Sequence, residues 1–146
     1  MPTRLAVAAA LALLATTARA DAGTDFAEKA AKEKGAVKTA SGLVYRSIVD
    51  GKGPQPAASA TVKVNYEGTF IDGKVFDSSK RNGGPISFPL NRVIKCWTEG
   101  VQKMRVGGKA RLVCPPSIAY GAAGAGGVIP PNSTLVFEVE LLDLVE

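Results

Sequence analysis

The chain has 146 residues, 46% of them hydrophobic and 21% charged, with 18 basic against 13 acidic side chains, two cysteines and no histidine. This profile fits one globular domain. Without imidazole, serine triads, Cys/His nucleophile pairs, His-ligated zinc and HExxH chemistry are excluded, and two cysteines cannot build a thiolate-only zinc site within one chain.

Residues 1 to 20 read as a secretory signal peptide. Arg4 gives the positive start, residues 5 to 15 (LAVAAALALLA) the apolar run, and Ala18-Arg19-Ala20 the small-x-small cleavage pattern. The run is well short of the ~20 residues that span a bilayer, and no cysteine follows Ala20 for lipid attachment. Cleavage between Ala20 and Asp21 delivers an exported protein, periplasmic or secreted, with no membrane attachment afterwards. In such an oxidising compartment two thiols are natural disulfide partners, whereas in the cytosol they would more often be buried and reduced.

Residues 21 to 41 read as an N-terminal helical extension and linker. Thr24 is placed to N-cap a short helix over residues 25 to 34 (DFAEKAAKEK) that Gly35 ends, with Glu28 and Lys32 at i,i+4 spacing. Phe26 is its only large apolar residue, so the helix is expected to be loosely attached, followed by a linker at 35 to 40. From Ser41 onward the hydrophobic period becomes two. Residues 43 to 49 (LVYRSIV) are one candidate strand. In residues 61 to 70 (TVKVNYEGTF), Val62, Val64, Tyr66, Gly68 and Phe70 share one face. Asp72-Gly73 then predicts a tight hairpin turn. Residues 92 to 101 (RVIKCWTEGV) place Ile94, Trp97 and Val101 on a helical stripe. Two more strands follow, 109 to 114 (KARLVC) and 134 to 142 (TLVFEVELL). Several strands and one short apolar helix predict an α+β domain, an antiparallel sheet packed on that helix.

Three features invite a chemical reading. The stretch YGAAGAGGVIPP at 120 to 131 lacks the Lys and Ser/Thr of a phosphate loop, and Pro130-Pro131 stops any helix, so it reads as a surface loop offering Val128 and Ile129 to a neighbouring pocket. Residues 74 to 111 hold nine Lys/Arg against Asp77 and Glu99, which in an exported chain reads as a solvated surface and not a nucleic-acid face. Tyr66, Phe76, Phe88, Trp97, Tyr120 and Phe137 lie on or beside the expected strands and helix. Aromatics at such spacing are mostly core, but the carboxylate of Asp77 and the phenols of Tyr66 and Tyr120 are the polar company a ligand pocket keeps.

The segments VKVNYEGTFIDGKVFDSS, FPLNRVIKCWTEGVQKMRVGGKARLVCPPSIAYG and VIPPNSTLVFEVELL closely resemble the FKBP-type peptidyl-prolyl cis/trans isomerases, in order and at family spacing across residues 42 to 146. The resemblance implies a twisted antiparallel half-barrel wrapped around one short helix. It also implies isomerisation of X-Pro bonds in proline-containing, unfolded or partly folded polypeptides, binding of tacrolimus- or rapamycin-type macrolides, and no cofactor or metal. Carried over by position, Trp97 floors a proline pocket walled by Tyr66, Phe76, Ile94 and Phe137, with Val93 and Ile129 also contributing. The Tyr120 phenol and the Ile94 backbone N–H bind substrate carbonyls, and Asp77 sits at the rim, so Asp77 and Tyr120 are the catalytic candidates. Ile86 stands where many members carry an aromatic, and Ala125 where some carry histidine. Cys96 occupies a usual glycine position and Cys114 faces the family helix, which implies a Cys96 to Cys114 disulfide. The short extension does not match the long dimerising helix of some exported members, so a monomer is expected.

Overall fold

A computed structural model describes residues 22–145. The expected signal peptide lies outside the described residues. Helix α1 (Ala22–Ala31) is followed by strands β1 (Ala36–Lys38), β2 (Val44–Val49), β3 (Thr61–Phe70), β4 (Val75–Ser78) and β5 (Ile86–Pro89), helix α2 (Lys95–Val101), and strands β6 (Lys109–Cys114) and β7 (Leu135–Val145). Among the described residues no helix is long and apolar enough to cross a membrane.

The strands form one antiparallel sheet in the order β1-β2-β6-β7-β3-β4, and β5 pairs with β3 beside β4. β4 pairs Glu67 to Thr69 and β5 pairs Thr61 to Val64, so the two short strands share one edge of β3. The inner face carries the expected alternation. Val62 and Val64 of β3, Ala110, Leu112 and Cys114 of β6, and Leu135, Phe137, Val139 and Leu141 of β7 are all buried. They enclose Cys96, Trp97 and Val101 of α2 in one core. Apolar burial of this kind is the main favourable term in folding, about 25 cal/mol per Å² removed from water. The α+β reading therefore holds, with an open antiparallel sheet packed on one short helix.

The N-terminal segment differs from expectation. α1 is already helical at Ala22, the first described residue, so Thr24 lies inside it, and Lys32 and Glu33 close its end with N–H bonds to Lys29 and Ala30. Gly35 at φ 83° then reverses the chain, and the expected linker holds β1, paired with β2 from Ala36 to Lys38. Nor is the helix loosely attached. Ala27 and Ala30 are buried against Val44, Val113 and Val136 on the outer face of the sheet. The Arg111 guanidinium lies 5.9 Å from the Phe26 ring centroid, and Glu33 pairs with both Arg46 and Arg111. Small side chains let this helix approach closely, so few large apolar residues were needed to dock it.

Candidate active site

The sheet and α2 enclose a cavity of about 600 Å³ beneath the concave side. Its floor is Trp97, 5% exposed, presented by the first turn of α2. A short helical turn at Leu90–Arg92 leads into that helix through Val93 and Ile94. Two bonds hold this approach: Thr98 Oγ1 donates to the Leu90 carbonyl at 2.7 Å, and the Leu90 N–H donates to Ala60 at 2.8 Å. The Ile94 carbonyl accepts from Trp97 and Thr98 at 3.0 and 3.2 Å. Next to the floor residue, Cys96 forms a disulfide with Cys114 of β6, and both are fully buried. This bridge ties the element carrying the floor to the sheet behind it.

The walls come from four strands and the cavity side of α2. Trp97 meets Tyr66 and Phe137 edge-on at 5.3 and 5.4 Å between centroids, and Phe76 meets Phe137 edge-on at 5.7 Å. Phe88 lies 5.3 Å from Trp97 in a tilted arrangement. Such edge-to-face pairs match the ring quadrupoles and lock ring orientation. A register shift in the β3–β4 ladder, where Gly68 faces Asp77 but Thr69 faces Val75, leaves Phe76 as an extra residue. Successive strand residues normally point to opposite faces. The bulge re-aims them, so Phe76 and Asp77 both line the cavity. Gly68 makes room for the rings: a Cβ there would lie 2.7 Å from Phe76 Cζ and 2.9 Å from Phe137 Cε1.

Few polar groups interrupt this lining. The Tyr66 hydroxyl donates to Asp77 Oδ2 at 2.7 Å, and Asn82 Nδ2 donates to Asp77 Oδ1 at 2.9 Å. Burial, and then the Asp77 carboxylate, push the Tyr66 phenol up to about 12. Burial and the same carboxylate also raise Tyr120 above its ordinary value. Both phenols therefore stay neutral donors through the physiological range. Tyr120 is 39% exposed at the mouth, and its hydroxyl makes no hydrogen bond among the described residues. Among the described residues the buried Trp97 indole N–H has no partner.

Of the expected site residues, Tyr66, Phe76, Asp77, Val93, Ile94, Trp97, Tyr120 and Phe137 all line this one cavity. Ile129 does not. It is buried in the core at 6% exposure, while its neighbour Val128 is exposed at 55%. Reciprocal hydrogen bonds between Ala125 and Ile129 turn the loop back on itself and draw Ile129 inward. Ile86, Phe88 and Arg92 complete the lining. Phe88 stood in the aromatic set on or beside the expected elements, although its own strand β5 was not anticipated, whereas nothing in the sequence distinguished Arg92 from the surrounding basic residues. Asn82 and Ser79 were also missed. Ser79, 3% exposed, accepts from the Tyr66 N–H at 3.0 Å through its hydroxyl and its own N–H donates to the Tyr66 carbonyl, tying the end of β4 to the middle of β3. Among the described residues no group of acidic or cysteine side chains is placed to hold a metal.

The profile described as FKBP-type peptidyl-prolyl cis-trans isomerase matches residues 53–142. The FKBP-type peptidyl-prolyl cis-trans isomerase FkpA of Escherichia coli (strain K12) is 57% identical over 122 residues, 84% of this chain and 45% of that protein. FK506-binding protein 1 of Dictyostelium discoideum is 52% identical over 103 residues, 69% of this chain and 96% of that protein. The crystal structure of FkpA from Escherichia coli superposes with a TM-score of 0.83 at 50% identity, covering 98% of this chain and 67% of that one. The chain spans about half the length of several curated relatives it matches.

Proposed function

The chain belongs to the FKBP-type peptidyl-prolyl cis-trans isomerase family, and from that membership we propose that it accelerates rotation about X-Pro bonds during the folding of exported proteins. The aromatic cavity carries this reading. Rotation breaks no bond, but the amide must lose resonance across a barrier of ~18 to 20 kcal/mol, so uncatalysed exchange takes roughly tens to hundreds of seconds. The planar amide is charge-separated and well solvated by water, whereas the twisted form is less polar. A cavity walled by Tyr66, Phe76, Trp97 and Phe137 withdraws that solvation and binds the twisted form better. The prolyl ring rests on Trp97. The Ile94 N–H and the Tyr120 hydroxyl receive substrate carbonyls, and Asp77, held by Tyr66 and Asn82, is the fixed acceptor at the rim. No proton transfer by a side chain enters the cycle.

A volume of about 600 Å³ also suits a drug-sized ligand, so tacrolimus- and rapamycin-type macrolides compete with peptide for it. Residues 42 to 146 form the isomerase unit and residues 21 to 41 its N-terminal extension, within which α1 packs on the sheet. The signal-like residues 1 to 20 support export to the periplasm or beyond, where proline-containing unfolded chains are the substrates. Because α1 spends its buried face on its own sheet, the protein works as a monomer.

A peptide isomerisation assay coupled to a protease that cleaves only the trans form tests the reading. Acceleration that rapamycin abolishes is expected. Trp97→Leu should lower kcat/KM by about tenfold or more, the effect of losing ~1.4 kcal/mol of transition-state contact. Absence of acceleration, with aggregation of an unfolded client still suppressed, would make the cavity a peptide-binding chaperone site.

A further inference from the structure

The mouth of the cavity carries two charged side chains, Asp77 and Arg92, and they are committed very differently. Both Asp77 oxygens already accept hydrogen bonds, one from Tyr66 and one from Asn82. Arg92 is exposed, and its guanidinium makes no ion pair or hydrogen bond among the described residues. The backbone beneath it is nonetheless fixed, because the turn Leu90–Arg92 is tied to Thr98 and Ala60. Arg92 also directly precedes Val93 and Ile94, the segment that lines the cavity beside the floor. The uncommitted charge of the site is therefore a cation on a rigid base, with five donors arranged to meet a carboxylate.

Resting on the isomerase reading, we propose that Arg92 sets a substrate preference for prolines flanked by an acidic side chain. A peptide whose proline enters the cavity leaves its neighbouring side chains at the mouth, in solvent, where they meet the guanidinium. An exposed ion pair of this kind changes affinity by about one-and-a-half- to fivefold. The preference fades with ionic strength, since screening shortens from ~30 Å at 0.01 M to ~3 Å at 1 M salt.

The test compares kcat/KM for peptides carrying glutamate, leucine or lysine immediately before proline, and a second set with the same residues immediately after it. The readout is the glutamate-to-lysine ratio within each protein, so a uniform change in rate cancels. The wild-type ratio should be roughly threefold or more in low salt at one of the two positions and approach unity in high salt. Arg92→Lys should retain it, Arg92→Ala should flatten it, and Arg92→Glu should reverse it. A ratio near or below unity at both positions in low salt overturns the proposal, the latter outcome assigning control to Asp77. So does a ratio that survives Arg92→Ala. The leucine peptide separates this from the isomerase reading: its acceleration by wild type with no charge preference removes the role of Arg92 alone, while no acceleration of any peptide removes both.

Discussion

The Tyr66 phenol has two partners, Trp97 at its ring and Asp77 at its hydroxyl. Losing the second while keeping the first isolates the polar contribution. Tyr66→Phe should cost about 1 kcal/mol of stability, below the ~1.5 to 3 kcal/mol of a buried hydrogen bond to a charged group, because the pair is partly solvated; urea denaturation measures it. The same variant should lower kcat/KM, since Asp77 then has one fixed donor instead of two. At this scale the sequence was informative wherever a period existed. Tyr66 and Phe137 were legible from alternation and Trp97 from helical spacing, whereas Phe76 was placed by the family resemblance because the bulge breaks its alternation. Arg92 was not, because a surface charge carries no period and its place at the mouth depends on the turn before α2. Ile129 was misplaced for a related reason: two adjacent residues in a loop have no alternation to say which faces inward, and the Ala125–Ile129 bridge decided it.

Element by element, close approach matters more than hydrophobic content. Gly68 lies in mid-strand, normally a weak choice, yet Phe76 and Phe137 occupy the space its side chain would need. Gly68→Ala should displace both walls, destabilising the fold by about 1 to 3 kcal/mol and reducing macrolide affinity. The fluorescence of Trp97, the one tryptophan in the sequence, reports the binding. Alternation revealed that Gly68 faces inward but not why it is glycine, because the bulge that brings Phe76 over it is not written in any local pattern. The Cys96–Cys114 bridge closes a loop with a sequence separation of 18. Replacing both cysteines by alanine should lower stability by about 3 kcal/mol in the chain-entropy picture, visible as an earlier urea midpoint. The docking of α1 escaped sequence reading because its buried residues are alanines. Their partners, Val44, Val113 and Val136, lie on three strands far apart in sequence.

For the whole molecule, the absence of histidine joins the protected phenols in a pH argument. The sequence offers no imidazole, and burial holds the Tyr66 and Tyr120 phenols protonated, so kcat/KM should be nearly flat between about pH 6 and pH 8. A steep transition there, in the peptide assay, would contradict the mechanism. Alkaline stability behaves differently. Tyr66 ionises near 10 in the unfolded chain but holds its proton to about 12 when folded. Its contribution is therefore fully present below pH 10 and lost as pH rises through the folded value, so the urea midpoint should fall across that interval. The sheet itself carries a different consequence. β7 lies between β6 and β3, and Thr61 pairs with Val145 at one end of the β3–β7 ladder. The middle of the sheet is thus supplied by residues 135–145, made after every other described strand. Until the ribosome has added them, β3 and β6 lack their shared partner, and a topology so rich in distant pairings folds slowly once complete. During synthesis the chain therefore stays open for longest at its centre, and the cavity closes only after this last described strand has arrived.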